Sequence, residues 1–199
     1  NYLFSARRGS NNPQFDITFN HERLGLFGVT GGSYSYQLVT QRVFRDPTNW
    51  MHFVVAFDTA NSTSSDRIKI YINGELQNNF DTTQYPSQSF QTAWNTNEAE
   101  ENIGRTFYGS GDYNFDGYLA ETILIDGTSL DPTSFGQFDS DSPTIWKPKD
   151  PSGLTFGSQG FYLDYKDSSA LGNDVSGNNK DFTANNLTSI DQCTDTCTN

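Results

Sequence analysis

Basic residues are scarce in this chain. Its 199 residues include 12 Lys and Arg against 24 Asp and Glu, which gives a net charge of -12 and an isoelectric point near 4.3. Nucleic-acid binding needs a Lys/Arg surface that neutralises phosphates, so the composition argues against nucleic acid as a partner and equally against an anionic membrane surface. The acidity fits solubility better than cation binding.

Long apolar runs and cysteines are also rare. No apolar stretch approaches the roughly 18 residues of a membrane span, and no basic segment followed by an apolar one opens the chain, so we expect no membrane insertion. Cys193 and Cys197 lie four apart in CTDTC without a nearby His or further Cys, which argues against a tetrahedral zinc site. A local disulfide and two free thiols both fit the pair, so the redox state and the compartment stay open.

Runs of Lys, Glu and Ala that favour helices are missing as well. Aromatic residues make up 15% of the chain, with 17 Gly and 7 Pro. This balance predicts an all-β protein with many turns, and the length is sufficient for one large domain.

The stretch around which the chain is organised runs from Trp50 to Glu75. Its first apolar run, WMHFVVAF, has apolar residues on both faces and predicts a buried strand. In the second run, RIKIYI, three isoleucines alternate with polar residues, which predicts a half-exposed neighbouring strand. Asn73-Gly74 supplies the positive φ angles of a tight hairpin turn.

Further strands are predicted on both sides of this hairpin. Phe15, Ile17 and Phe19 alternate with polar residues, and a later strand places four residues on one face: Tyr34, Tyr36, Leu38 and Thr40. Residues 76–102 show no periodicity and predict the longest irregular connection, a kind of loop that often carries function.

The last third of the chain predicts strands at 118–125 and in GFYLDYKD, with an irregular excursion from Phe138 to Gly160 between them. One short helical turn is predicted in LDPTSFG, with Asp131 as its cap, Pro132 at its first position and Gly136 at its end.

Several segments together resemble a known family. They are Trp-x-His followed by FVVAFD, then IKIYINGE, IGR, FDGYLAETILIDGTSLDPTSFG and GFYLDYKDSSALGNDVSGNNKDFTANN. They look like the concanavalin A-like lectin/glucanase (laminin-G-like) domains of structural or tail-fibre-type proteins of marine bacteriophages. The resemblance implies a jelly-roll sandwich of two antiparallel sheets with at most one short helical turn.

The resemblance also implies a domain plan. Residues 1–166 are expected to form the β-sandwich, and 167–199 a polar C-terminal tail or the start of a linker to a further module. The family usually opens with one more strand, containing Phe-x-Trp-x-Lys, which is missing here. We therefore expect a segment of a longer polypeptide with one sheet edge unaccounted for.

Members of this superfamily bind glycans, bind proteins or hydrolyse β-glucans, so each activity needs its own residues. The related glucanases carry Glu-x-Asp-x-x-Glu on one strand, whereas Glu121 is followed on its own face by Ile123 and Ile125. Glu98, Glu100 and Glu101 predict a solvated acidic loop, and His52 predicts a hydrogen-bonded core histidine. We therefore expect no enzyme activity and no catalytic residues, with glycan hydrolysis as the least favoured alternative.

A calcium site is the one cofactor that the motifs suggest, although none is required. Asp112, Asn114 and Asp116 match the first half of a calcium loop, D-x-N-x-D-G, but the twelfth position is Ile123 instead of Glu. A Gly/Asn/Asp turn that enters a strand is the favoured alternative. Asp174, Ser176 and Asn178 form a second oxygen-rich turn with a weaker claim.

Sugar binding needs exposed aromatic faces and polar groups for hydroxyls. The candidate ligand-binding residues are Trp94, alone in a polar loop, and Tyr108 and Tyr113, which flank a Gly-Ser-Gly turn. Packing against the core is the alternative for each tyrosine and the favoured interpretation for Trp94.

We thus expect a non-catalytic, extracellular module on a virion surface that adheres to host cell-surface glycans. The alternative is a structural module that packs against neighbouring virion proteins. Self-association into a homo-oligomer is left open.

Overall fold

The computed structural model describes residues 1–8, 14–46, 48–96, 99–108 and 111–193, and for Asn95 and Tyr108 only the backbone. Cys197 and Glu98 lie outside these ranges. Within them the chain forms fifteen strands: β1 Tyr2–Arg7, β2 Gln14–Asn20, β3 Arg23–Thr30, β4 Ser33–Val43, β5 Phe53–Phe57, β6 Ile68–Ile72, β7 Glu75–Leu76, β8 Phe80–Gln84, β9 Glu100–Ile103, β10 Arg105–Tyr108, β11 Gly111–Asn114, β12 Thr122–Leu124, β13 Gly136–Phe138, β14 Trp146–Pro148 and β15 Phe161–Leu163.

The predicted all-β fold is confirmed, with antiparallel pairing between neighbouring strands and sheets consistent with a jelly-roll sandwich. The described residues add four three-residue 3₁₀ turns, one of which is the predicted turn at Pro132–Ser134. There Asp131 caps the turn by accepting a hydrogen bond from the Thr133 amide at 2.8 Å. Among the described residues, no helix has the length and apolar character that a membrane crossing requires.

The chain divides into two compact units. The first comprises Asn1–Asn49, Val55–Ile70 and Glu75–Gly117, and the second comprises Trp50–Val54, Tyr71–Gly74 and Tyr118–Asn199. The described part of the predicted C-terminal tail, residues 167–193, therefore belongs to the second unit together with the strands from β12 onward.

The first unit contains a six-stranded sheet with the order β8-β4-β3-β2-β1-β9. The predicted alternation in β2 turns Phe15 to one face, where its ring centre lies 4.2 Å from that of Trp94 and 5.6 Å from that of Phe57. Trp94 and Phe57 also contact each other, at 4.8 Å, so the three rings form one aromatic cluster. Tyr36 is fully buried in the same cluster. Apolar burial on this face forms the core of the unit.

The two edge strands of this sheet, β8 and β9, lie in the segment predicted to be irregular, and that prediction was wrong. The sequence of β9, EENI, does not alternate between apolar and polar residues, but Phe4–Arg7 of β1 pairs with it in register. Edge strands have only one hydrogen-bonded neighbour, so they need not show the hydrophobic periodicity of central strands.

The hairpin turn at Asn73-Gly74 is confirmed, with φ angles of 50° and 80°. The strand before it is shorter than predicted, because β5 begins at Phe53 and leaves Trp50 outside. Val54 is the buried side chain of β5, and the others are half-exposed. The prediction of a strand that is buried on both faces is therefore only partly correct.

The second unit pairs β12 with β15 and β13 with β14. The predicted strand at 118–125 shortens to Thr122–Leu124. β14 forms within the segment from Phe138 to Gly160 that was predicted to be irregular, and its partner β13 ends where that segment begins. Trp146 of β14 fits between two glycines, Gly74 and Gly136, at both of which an added Cβ would overlap the indole ring. Glycine is needed here because the ring packs directly on the backbone.

Candidate functional site

The second face of the six-stranded sheet carries polar and aromatic side chains. Cross-strand register across β1 to β4 aligns Ser5, Asp16, Phe27 and Gln37 in one row and Arg7, Gln14, Val29 and Tyr34 in the next. Directly opposed residues of neighbouring strands share a face, so these side chains meet on the side away from the aromatic core.

A buried ion pair lies on this face. The Arg7 guanidinium donates to both carboxylate oxygens of Asp16, from Nη2 at 2.7 Å and from Nε at 3.3 Å. The two residues are only 8% and 5% exposed. Burial raises the pKa of Asp16 to about 6 even though the charge and hydrogen bonds of Arg7 lower it.

Three tyrosines lie on the same side of the sheet as this pair. Arg7 lies 5.9 Å from the centre of the Tyr2 ring, and the Tyr2 ring lies 6.1 Å from that of Tyr113. Burial raises the pKa of the Tyr2 phenol, the charge of Asp16 adds to the rise, Arg7 opposes it, and the phenols of Tyr113 and Tyr34 add further. Tyr2 contacts Tyr113, and Tyr34 shares a cross-strand row with Arg7. We call Tyr2, Tyr34 and Tyr113 the tyrosine face.

The tyrosine face is accessible although the ion pair is not. Tyr34 and Tyr113 are 52% and 47% exposed, and Phe27 lies beside Tyr34 with ring centres 5.9 Å apart. Exposed aromatic rings can stack on the apolar face of a sugar, and phenol hydroxyls can exchange hydrogen bonds with sugar hydroxyls.

The predicted sugar-binding residues fall in different places. Tyr113 belongs to the tyrosine face. Tyr108 lies in β10, where it pairs with Gly111, and its side chain lies outside the described residues. Trp94 is half-buried in the aromatic cluster on the opposite face of the sheet, the packing alternative noted from the sequence. Sugar binding by these residues stays a prediction.

The predicted calcium residues lie on or just after β11. Asp112 and Asn114 share a face of the β10–β11 hairpin, opposite the face that carries Tyr113. Both carboxylate oxygens of Asp112 accept hydrogen bonds from Arg105, at 2.8 and 3.1 Å, so a cation would have to compete with this guanidinium. Asp116 follows the strand and is exposed. Within the described ranges no three His, Cys, Asp or Glu side chains are grouped as a metal site requires, and calcium binding stays a prediction.

The second oxygen-rich turn, Asp174 to Asn178, is held by hydrogen bonds within the fold. Asp174 accepts hydrogen bonds from the amides of Tyr162, Ser176 and Lys180 and from the Ser176 hydroxyl, each at 2.9 Å. Burial would raise the pKa of Asp174, but these donors outweigh it and lower the pKa. The Asn178 side chain donates to the carbonyls of Gly157 and Gly160, so the polar groups of this turn are used within the fold.

His52 and Glu121 also make structural contacts. The Trp146 indole donates to His52 Nδ1 at 3.0 Å, as the predicted hydrogen-bonded histidine requires, and burial lowers the pKa of His52. Glu121 accepts a hydrogen bond from the Tyr162 hydroxyl at 2.8 Å.

Sequence reasoning missed Tyr2, Tyr34 and the Arg7–Asp16 pair. Tyr34 was predicted to share a face with Tyr36, but this was wrong, because a register shift in β4 places Tyr34 opposite Val29 and Tyr36 opposite Gly28. Such a β-bulge reverses the alternation and has no clear mark in the sequence. The one charged residue in each of these two strands, Arg7 in β1 and Asp16 in β2, was the available clue.

Comparisons with known proteins concern the part of the chain that carries the tyrosine face. Neither the curated proteins nor the solved structures contain a match to this chain. A family model described as the Concanavalin A-like lectin/glucanases superfamily matches residues 1–129, a range that includes every strand from β1 to β12. The chain therefore belongs to the concanavalin A-like lectin/glucanase superfamily.

Proposed function

We propose that this chain is a non-catalytic carbohydrate-binding module whose sugar site is the tyrosine face. One observation carries the proposal: tyrosines from three separate strands, β1, β4 and β11, lie on the side of the sheet that carries a buried ion pair, and two of them, Tyr34 and Tyr113, are exposed. Membership of a superfamily that includes lectins supports a carbohydrate ligand.

The placement of two of these rings on strands paired on both sides supports binding. Tyr2 and Tyr34 stand on β1 and β4, each of which is paired with a strand on both sides, and the Arg7–Asp16 pair next to Tyr2 is bidentate. A ligand that stacks on these rings would find them already positioned, which reduces the entropy lost on binding. A single small site binds sugars weakly, so we expect useful affinity from repeated copies.

We place the module on the surface of a virus particle, where it would adhere to host glycans. The support for this setting is the resemblance of FDGYLAE through SFG, together with LGNDVSGNNKDFT, to phage structural proteins.

A structural role is the second candidate. Its support is the set of large apolar side chains that the second unit exposes, which could pack against neighbouring virion proteins. They include Tyr118 at 70%, Ile145 at 51% and Phe138 at 47% exposure.

A glycan array probed with a multimerised form of the chain separates the two candidates. We expect binding that falls about three- to tenfold when Tyr34→Ala or Tyr113→Ala removes a stacking ring. Tyr118→Ala, a matched loss of an exposed tyrosine from the second unit, should leave binding unchanged. Running the array with calcium and with a chelator tests the calcium prediction. Absence of binding under both conditions would reject the carbohydrate proposal and favour the structural role.

A further inference from the structure

A cleft in the second unit lies among residues that the tyrosine face does not use. Its volume is about 600 Å³, and it is lined by residues 168–173, 181–182, 184 and 187–189. We call it the C-terminal cleft. All of its lining residues belong to the second unit and follow the range that the superfamily model matches. Small-ligand sites occupy roughly 300–1,000 Å³, so the cleft is large enough for a sugar ring.

The two chain segments that line the cleft are joined by hydrogen bonds. The Phe182 amide donates to the Gly172 carbonyl at 2.8 Å, and the Asp174 amide donates to Asp181 Oδ1 at 2.8 Å. Glycine is needed at position 172 because an added Cβ would overlap the Phe182 carbonyl. The close approach of the two segments is therefore built into the sequence.

The end of the second segment is fixed as well. Asp191 Oδ2 accepts hydrogen bonds from the Thr188 amide at 2.8 Å and from the Thr188 hydroxyl at 3.1 Å. Gln192 then donates to the carbonyls of Tyr165 and Lys166, at 2.8 and 3.0 Å. Because these contacts hold the lining in place, a ligand would order little of it on binding, which reduces the entropy cost.

Part of the lining is apolar. Leu171, Phe182 and Leu187 contribute apolar side chains. Phe182 is half-buried, and its ring is supported edge-to-face by the buried Phe161 ring, with ring centres 4.9 Å apart. The non-polar C–H groups of a sugar ring pack well on a surface of this kind.

The rest of the lining offers hydrogen-bonding groups. Asp181 uses one carboxylate oxygen to accept from the Asp174 amide. Among the described residues, none hydrogen-bonds to Asp181 Oδ2 or to the side-chain amide of Asn173. Ser168 and Ser189 add hydroxyl groups. A free carboxylate oxygen accepts from sugar hydroxyls, and a free carboxamide both donates to them and accepts from them.

The charge of the lining sets the class of ligand. The lining residues include no Lys or Arg, and Asp181 is the single charged residue among them. An anionic ligand would therefore meet a like charge without a counter-ion, which acts against acidic sugars.

We propose that the C-terminal cleft is a second carbohydrate site, which takes a neutral sugar ring and discriminates against acidic sugars. The C–H groups of the ring pack on Phe182 and Leu187, while Asp181 and Asn173 bind its hydroxyls. The inference goes beyond the tyrosine face and does not rest on it, because no residue of that face lines the cleft. Together the two sites give each chain one place for a sugar in each of its units.

An NMR titration of the wild-type chain tests the site directly. The neutral probes are the methyl glycosides of glucose, galactose and mannose. The acidic probes are the methyl glycosides of glucuronic and galacturonic acid, in which a carboxylate replaces the terminal hydroxymethyl group. At least one neutral probe should shift the amide signals of Asn173, Phe182 and Leu187 at millimolar concentrations. The neutral sugars should bind about fivefold or more tightly than their acidic counterparts.

Two pairs of variants assign the effect to the cleft. Leu187→Ala should weaken binding about two- to fivefold, whereas Ile190→Ala, which truncates an 89% exposed side chain outside the lining, should not. Asp181→Asn keeps an acceptor for the Asp174 amide but removes the charge, so the preference for neutral sugars should fall below about twofold. Asp141→Asn makes the same net-charge change at an exposed position of the second unit and should keep the preference.

The outcomes separate this site from the tyrosine face. Signals that shift only at Tyr2, Tyr34 and Tyr113, or at neither site, would overturn the cleft as a sugar site. Shifts in the cleft alone would support it and count against the tyrosine face. Equal affinity for neutral and acidic probes would overturn the proposed selectivity. That comparison uses the wild-type chain, so it decides the matter even where Asp181→Asn fails to fold.

Discussion

The carboxylate of Asp174 should contribute more to the stability of the second unit than any other single polar group described there. It accepts four hydrogen bonds and is only 8% exposed. Asp174→Ala removes the common acceptor of three backbone amides, those of Tyr162, Ser176 and Lys180. An amide left without an acceptor costs about 1–3 kcal/mol when water cannot reach it and less when water can.

The magnitude follows from the burial of each donor. Tyr162 is 6% exposed, so its amide should lose most of this range, whereas Ser176 and Lys180 are half-exposed and water can replace part of the lost bonds. We therefore expect Asp174→Ala to destabilise the second unit by about 3–5 kcal/mol. The contribution of Asp174 should be fully present above the pKa of an unfolded aspartate. It should be lost as the pH falls through the lower folded pKa, where the variant and wild type converge.

The chain contains a matched control a few residues earlier. Asp167 makes the same kind of turn, in which its carboxylate accepts from the Ser169 amide at 2.9 Å and from the Ser169 hydroxyl at 2.6 Å, but Asp167 is exposed. Asp167→Ala should therefore have a much smaller effect than Asp174→Ala.

Native-state hydrogen exchange of the Tyr162 and Val175 amides measures this difference locally, which avoids assuming that the whole chain unfolds in one step. The expected destabilisation corresponds to a loss of protection of about two to four orders of magnitude. Equal effects of the two variants, or a loss of protection below tenfold in Asp174→Ala, would show that the loop is not organised by its buried carboxylate.

Two further predictions concern the core of each unit. Gly28→Ala would place a methyl group in the Tyr36 ring and should lower the free energy of unfolding, measured with urea, by about 1–3 kcal/mol. Gly153→Ala, the control, places its methyl group in open space and should leave stability unchanged. Equal urea midpoints for the two variants would contradict this prediction. Since burial lowers the pKa of His52, its contribution to stability should be lost as the pH falls below about 6.5, the pKa of an unfolded histidine. The indole N–H signal of Trp146 in NMR should then shift as His52 ceases to accept its hydrogen bond, and a signal constant down to pH 4.5 would refute this.

Features that depend on neighbouring residues were predictable. Asn73-Gly74 forms the expected hairpin turn, Phe15 and its alternate neighbours in β2 face the core, and Asp131 caps the expected turn. Each of these depends on the conformational preferences of a few adjacent residues, which the sequence states directly.

The candidate site was only partly predictable, because its parts come from distant positions. Tyr113 was predicted from its place in an aromatic and glycine-rich turn, but its contact with Tyr2 joins residues at opposite ends of the first unit's sequence. The polar neighbours of Trp94 left both core packing and ligand binding open, with packing favoured, and its ring contacts Phe15 and Phe57. Polarity of a loop does not show what lies beneath it.

The sequence by itself determined the all-β class, the central hairpin and the acidic character that argues against nucleic acid. Tertiary structure alone decided that Glu100–Ile103 becomes an edge strand, that a bulge turns Tyr34 away from Tyr36, and that Arg7 and Asp16 form a buried pair beside Tyr2. The reason is physical. Turns and alternation are set by local backbone preferences, whereas sheet register and the burial of a charge depend on the strands that long-range packing brings together.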